Sequence, residues 1–206
     1  MAASVPDLPA DPLVIRLAAG TSLVRVHHRD YGPIWFGPAA GAPPTSRFDA
    51  PAGEFGTLYV AESLTGAFVE TVLRRANRIV ARPFLDQRAW SILGLRRDCA
   101  LAQLHGHGLV YHGVTNDICA GDLYAPSQAL SLALWKKYPT DGIAYRARHN
   151  NDEICYAIND RIAPGDLEIV ETRLFADHPK EIDTLLRQHG AVISPTRPLP
   201  DLGKAG

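Results

Sequence analysis

The chain has 206 residues, a formal net charge of -1 and 46% hydrophobic residues, enough for one domain with a sizeable core. So even a charge excludes the electrostatic footprint of a general nucleic-acid binder. Three cysteines, Cys99, Cys119 and Cys155, fit neither a disulfide framework nor a paired-cysteine zinc site, which suits a reducing cytoplasm. No stretch reaches about 18 consecutive apolar residues, and MAASVPDLPADP lacks a basic region ahead of an apolar run. A soluble cytoplasmic protein is expected, neither exported nor membrane-spanning.

Residues 1–12, rich in Pro, Ala and Asp, read as a flexible tail. A single domain is expected over 13–194, followed by a Pro-rich tail over 195–206. Leu13 to Leu17 and Leu23 to His27 are short apolar runs suited to strands. Tyr31 to Pro44 holds many Gly and Pro residues, the composition of an irregular loop, with Trp35 and Phe36 as aromatic anchors. Such a loop walls a pocket or simply covers the surface. Arg47 follows in a second irregular stretch. Thr57 to Ala61 alternates like a strand, which turns Tyr59 away from Leu58 and Val60. Ser63 is placed to cap a helix carrying Leu64, Ala67, Phe68 and Val72 at helical spacing, with Arg74 and Arg75 near its C-terminal end. Glu70 falls outside that apolar arc and can border a cleft.

Arg82 to Phe84, Trp90 to Leu93 and Ala100 to Leu104 read as strands. His105, His107 and His112 raise the question of a metal, but no Cys or carboxylate completes a ligand set, and no metal is expected. The nearby glycines lack the spacing of a dinucleotide fingerprint. Ser127 to Lys137 is a helix with Pro126 before it, Ser127 able to cap it, and Lys136 and Lys137 in its last turn. IAYRA and EICYAIN form a hairpin across Arg148 to Asp152, Leu167 to Phe175 is a strand, and Pro179 to Gln188 a helix. Short strands alternate with a few helices without a βαβ rhythm, so the fold class is α+β with a mixed or antiparallel sheet. On the residues alone, Arg47 and Glu70 also fit a structural ion pair, Tyr59 a packed strand residue and Arg148 a solvated hairpin charge.

The ordered blocks VRVHHRDYGPIWFGP, SRFDAP, FGTLYVAESLTGAFVETVLRR and DGIAYRARHN resemble the RES domain, from about Leu23 to about Ile158. The resemblance implies a fold like that of ADP-ribosyltransferase toxins and the role of a bacterial toxin that consumes NAD by breaking the nicotinamide-ribose bond, as a phosphorylase or a hydrolase. It also implies a helix-turn-helix antitoxin as partner and a homodimer. Alternatives are transfer of ADP-ribose to a cellular protein, and a non-catalytic module that binds NAD or a partner. On this match Arg47, Tyr59 and Glu70 fall on the family's functional Arg, Tyr and Glu, and Arg25 is a candidate for an earlier NAD-binding arginine. In the block resembling Y-x-S-R the family serine is replaced by Ala147. Ser127 is the other candidate for that serine, although its place before a helix suits a cap.

These residue types suit the implied chemistry. Cleavage at the nicotinamide ribose develops positive charge on the sugar, as in glycoside hydrolysis, which a carboxylate such as Glu70 can offset. Arg47 suits the pyrophosphate, with Arg25 or Arg148 as a second clamp or as the holder of an inorganic phosphate acceptor. Water or a target protein could accept instead. Tyr59 can offer a flat face to nicotinamide and a hydroxyl to the ribose or Glu70. Alanine at 147 is expected to lower turnover more than binding.

Overall fold

The computed structural model describes residues 5–37, 41, 43–74 and 78–194. Its elements run β1 (Val14–Leu17), β2 (Ser22–His28), β3 (Thr57–Ala61), α1 (Leu64–Thr71), β4 (Ile79–Ala81), α2 (Arg82–Asp86), β5 (Arg88–Leu95) and β6 (Cys99–Leu104). They continue through α3 (His107–Tyr111), α4 (Asp117–Ala120), α5 (Ala125–Lys137), β7 (Gly142–Ala147), β8 (Asn150–Asn159), β9 (Leu167–Leu174), α6 (Pro179–Gln188) and β10 (Val192–Ser194). Eight strands form one sheet in the order β1-β6-β7-β8-β3-β2-β5-β9, and β4 pairs with β10 apart from it. Within the large sheet β6 and β7 are parallel and the other pairs antiparallel. This is the mixed α+β architecture that the element pattern predicts.

Period-two alternation divides the strands between two cores. Leu58 and Val60 join Leu23, Leu93, Tyr156 and Ile158 on one face, while Tyr59 and Ala61 turn to the other, with Val26, Phe68 and Tyr145. Helix α1 lies on that second face against β2, β3, β7 and β8. Ser63 caps it as expected, its Oγ accepting the Gly66 N–H at 3.0 Å. Phe68 is fully buried, worth about 1.5–3 kcal/mol of apolar transfer.

The seam between β2 and β3 decides where a ligand can enter. The two strands are joined by one bridge pair, Val24 with Ala61, whereas β2 pairs with β5 from Ser22 to His28 and β3 with β8 from Thr57 to Ala61. Beyond the bridge, β2 and β3 form no ladder and leave a wedge in the middle of the sheet.

Several local expectations change. Arg82 to Phe84 is helical instead of extended, because Pro83 in the first turn of α2 fixes a helical φ and needs no N–H partner there. Ser127 lies within the first turn of α5, not at its cap, which is Tyr124. Its Oγ donates to the Ile118 carbonyl instead. His107 opens α3, and His112 is buried with Nδ1 bonded to the Gly108 carbonyl. Of the residues expected to form a flexible N-terminal tail, Leu8 is buried and its carbonyl accepts from Lys137 Nζ. Tyr138 donates to the Pro9 carbonyl. Arg75 and the expected tail 195–206 lie outside the described residues.

Gly142 begins β7, and a Cβ there would come 2.2 Å from the Ala157 carbonyl oxygen and 2.9 Å from Ile158 Cα. Neither is a flexible side-chain end. Gly142→Ala is therefore expected to force the β7–β8 pairing apart and cost about 1–3 kcal/mol, read as a lower denaturant midpoint.

Candidate active site

Arg47 is placed by a loop that the fold grips from several sides. The Asp49 carboxylate accepts the N–H groups of Thr45 at 2.9 Å and Ser46 at 2.7 Å through Oδ2. Its Oδ1 accepts the Tyr59 hydroxyl at 2.9 Å, and that hydroxyl in turn accepts the Phe48 N–H at 2.9 Å. From the other side, Gln128 Nε2 and Ser131 Oγ of α5 donate to the carbonyls of Ser46 and Phe48, each at 2.9 Å. Ser127, Gln128 and Ser131 share a buried polar face of that helix. Phe48 is fully buried against the Tyr145 ring, with centroids 4.9 Å apart.

Held this way, Arg47 is 8% exposed. Its Nη2 donates to the Gly121 carbonyl at 2.9 Å, its guanidinium carbon sits 4.8 Å from the Tyr124 ring centroid, and its Nη1 is buried with no hydrogen-bond partner among the described residues. The Tyr59 hydroxyl is committed to Asp49 and Phe48 rather than to Glu70. Burial, with the neighbouring Asp49 charge, raises the Tyr59 pKa well above its usual value.

Glu70 projects from α1 toward the β7–β8 hairpin. Its Oε1 accepts the backbone N–H of Arg148 at 2.8 Å, and Tyr145 Oη lies 3.4 Å from Oε2. The Arg148 side chain pairs with Asp122. The hairpin thus reaches Glu70 through a main-chain donor and Tyr145, not through position 147. Ala147 is fully buried in the core and is not among the residues lining the cleft. Arg47 bonds to a carbonyl and Glu70 to a backbone amide, so the alternative of a structural Arg47–Glu70 ion pair does not apply.

Arg47, Tyr59, Glu70, Arg25 and Arg148 all line one open cleft of about 380 Å³ in the wedge between β2 and β3. Arg25 Nη1 donates to the Pro33 and Trp35 carbonyls at 2.9 and 3.1 Å, and burial lowers its pKa to about 10. Arg74, Arg88, Tyr124 and Tyr145 line the cleft as well. In the sequence Arg74 reads as a helix-end charge, and Arg88 meets the cleft only because β5 pairs with β2. Trp35 is also corrected. Phe36 packs on the core, whereas Trp35 is 54% exposed and faces the cleft. Five arginines and a single carboxylate, Glu70, line this space among the described residues, in a chain of net charge -1. The arrangement suits a ligand carrying more than one negative charge, with a carboxylate at one end.

Tyr59→Phe leaves Asp49 Oδ1 and the Phe48 N–H without partners and should destabilise the protein by about 1–3 kcal/mol near neutral pH, measured by chemical denaturation. Tyr59 and Tyr145 both have folded pKa values above the free value, chiefly through burial. Their stabilisation is complete below about pH 10 and is lost as pH rises beyond it. The alkaline fall in melting temperature should therefore be shallower in Tyr59→Phe.

The family model described as RES domain matches residues 22–180. No curated protein matches the chain in sequence. Among solved structures, the M. tuberculosis MbcT–MbcA toxin–antitoxin complex contains a chain with a TM-score of 0.63 and 19% sequence identity. That likeness covers 80% of this chain and 90% of the other. With a family match over well more than half its length, the chain belongs to the RES domain family.

Proposed function

We propose that this chain is the toxin of a toxin–antitoxin pair and that it destroys NAD by cleaving the bond between nicotinamide and its ribose. The observation that carries the reading is the charge pattern of the cleft: five arginines around one carboxylate, with Arg47 Nη1 buried and lacking a partner among the described residues. An unpaired buried guanidinium nitrogen is costly unless an anion completes it. A pyrophosphate supplies two phosphoryl groups for such a nitrogen and its neighbours. Family membership and the likeness to a chain of a toxin–antitoxin complex support the biological role.

In this mechanism the bond from the ribose to the nicotinamide nitrogen breaks with both electrons leaving on the ring, which departs neutral. Positive charge develops on the sugar. Glu70 offsets it, with Oε1 anchored by the Arg148 N–H and Oε2, which also faces the Tyr145 hydroxyl, placed to accept a ribose hydroxyl. Tyr145, 3.4 Å from Oε2, steadies that carboxylate. Arg47 holds the pyrophosphate, aided by Arg74, which shares the Tyr124 ring with it. Tyr59 acts mainly by fixing the Arg47 loop, and its ring borders the cleft. Phosphate, water or a protein side chain then takes the sugar. The protein partner in the cell is an antitoxin.

Purified protein incubated with NAD, with and without phosphate, should release nicotinamide, and ADP-ribose 1-phosphate should appear only when phosphate is the acceptor. Glu70→Gln should lower the rate by about 10²–10³-fold with its melting temperature close to that of the parent. Arg47→Lys should raise KM more than it lowers kcat. Absence of release from the parent and from Ala147→Ser alike would sink the proposal.

A further inference from the structure

The cleft has two halves, set by sheet order. Strands β7 and β8 with α1 supply Glu70, Tyr145 and Arg148 on one side of β3, while β2, β5 and the 31–37 loop supply Arg25, Arg88 and Trp35 on the other. The mechanism above uses the first half. The second contains two guanidinium groups with no ion-pair partner among the described residues. Arg25 spends its Nη1 on two backbone carbonyls. Arg88 lies over the Phe84 ring at 4.1 Å, and its Nε is buried with no partner among the described residues. Carbonyl bonds orient a guanidinium without cancelling its charge, so this half presents two uncompensated cations to one space.

Trp35 stands on the rim of the same half. Large aromatic side chains are usually buried, yet this one is 54% exposed. Its position is set from both sides. Arg25 holds its carbonyl at 3.1 Å, and the next carbonyl, of Phe36, accepts the Thr57 N–H at 2.9 Å. Gly56 packs so closely that a Cβ would come 2.3 Å from that Phe36 oxygen. An exposed indole carried on an anchored backbone, lining the same cleft as an uncompensated pair of arginines, has the features of a nucleotide subsite: a flat platform for a base and a fork for its phosphate.

We infer that Trp35 stacks the purine base, and that Arg25 and Arg88 bind the adjacent phosphate, of the half of the dinucleotide that is not cleaved. This rests on the proposed function for the choice of adenine as the base. Glu70 and the Trp35–Arg88 subsite then read opposite ends of one substrate, and the second end governs affinity instead of bond breaking.

Binding of AMP, nicotinamide mononucleotide, adenosine and inorganic phosphate to the full chain tests this directly, by tryptophan emission and calorimetry. AMP should quench emission saturably and bind more tightly than adenosine or phosphate. Trp35→Phe should keep AMP affinity within a few-fold while losing the quench. Trp35→Ala should weaken AMP by about 5- to 100-fold, and Arg88→Gln by about 10- to 100-fold. Nicotinamide mononucleotide, bound at the other half, should be unaffected in both and reports that the variants are folded. AMP affinity unchanged in Trp35→Ala and Arg88→Gln, or AMP binding no tighter than phosphate, would overturn the inference. Nicotinamide release followed in parallel separates the two proposals. AMP binding that depends on Trp35, with no release from the parent or from Ala147→Ser, supports the subsite and removes the cleavage reading, whereas release with AMP indifferent to both variants does the reverse.

Discussion

The hydrogen-bond relay from the Phe48 amide through the Tyr59 hydroxyl to the Asp49 carboxylate is the constraint on which the site depends. It ties an irregular loop to a central strand through one phenol, and the same carboxylate closes the loop on itself by accepting two further amides. Each partner is buried or nearly so, where an unmade bond costs more than a made one gains. The loop consequently has one low-energy arrangement, and Arg47 inherits it. The strut is not enough alone. Helix α5 adds Gln128 and Ser131 from the opposite side, which explains why a helix in the core of the fold gives up part of its buried face to polar side chains.

The wedge between β2 and β3 makes room for what that loop presents. A fully laddered seam would have brought Val26 against Tyr59 and Arg25 against Val60, the same residues that now line the cleft. With one bridge pair, the sheet remains continuous while backbone and side chains on both sides of the gap become reachable. Helix α1 crosses above and lowers Glu70 into the opening, where the turn of the β7–β8 hairpin meets it with the Arg148 amide.

Much of this was legible from residues in order. The alternation of Thr57 to Ala61 correctly turned Tyr59 from Leu58 and Val60, the spacing from Leu64 to Val72 kept Glu70 out of the core, and the hairpin around Arg148 was visible in its two apolar runs. What failed had a physical reason. Arg82 to Phe84 carries strand-like residues, but the proline backbone outweighs side-chain preference. Ser127 has the chemistry of a cap but lies inside the first turn, past the cap position held by Tyr124. Trp35 and Phe36 are adjacent and similar in composition, so nothing local tells which goes inward. Phe36 goes inward, where Gly56, twenty residues downstream, packs against its carbonyl oxygen and Cβ. Ala147 marked a departure from the family pattern, yet it occupies the core and not the cleft. Arg88 and Tyr145 enter the site only through strand pairing, which no linear window contains.

The arginines are the remaining puzzle, since like charges gathered in a partly buried cleft repel one another and lose hydration. Their partners resolve it. Arg25 bonds to the carbonyls of Pro33 and Trp35, Arg47 to that of Gly121, and Arg74 to that of Thr45 and to the Tyr124 hydroxyl. Among the described residues, Arg148 alone of the five pairs with a carboxylate, the exposed Asp122. Neutral acceptors satisfy the donors' geometry and leave the net charge in place. Had carboxylates done the same work, the cleft would be better paired and electrostatically silent. The fold tolerates the repulsion because the acceptors belong to loops already pinned by other bonds, and the charge that remains is available to an anion entering from solvent.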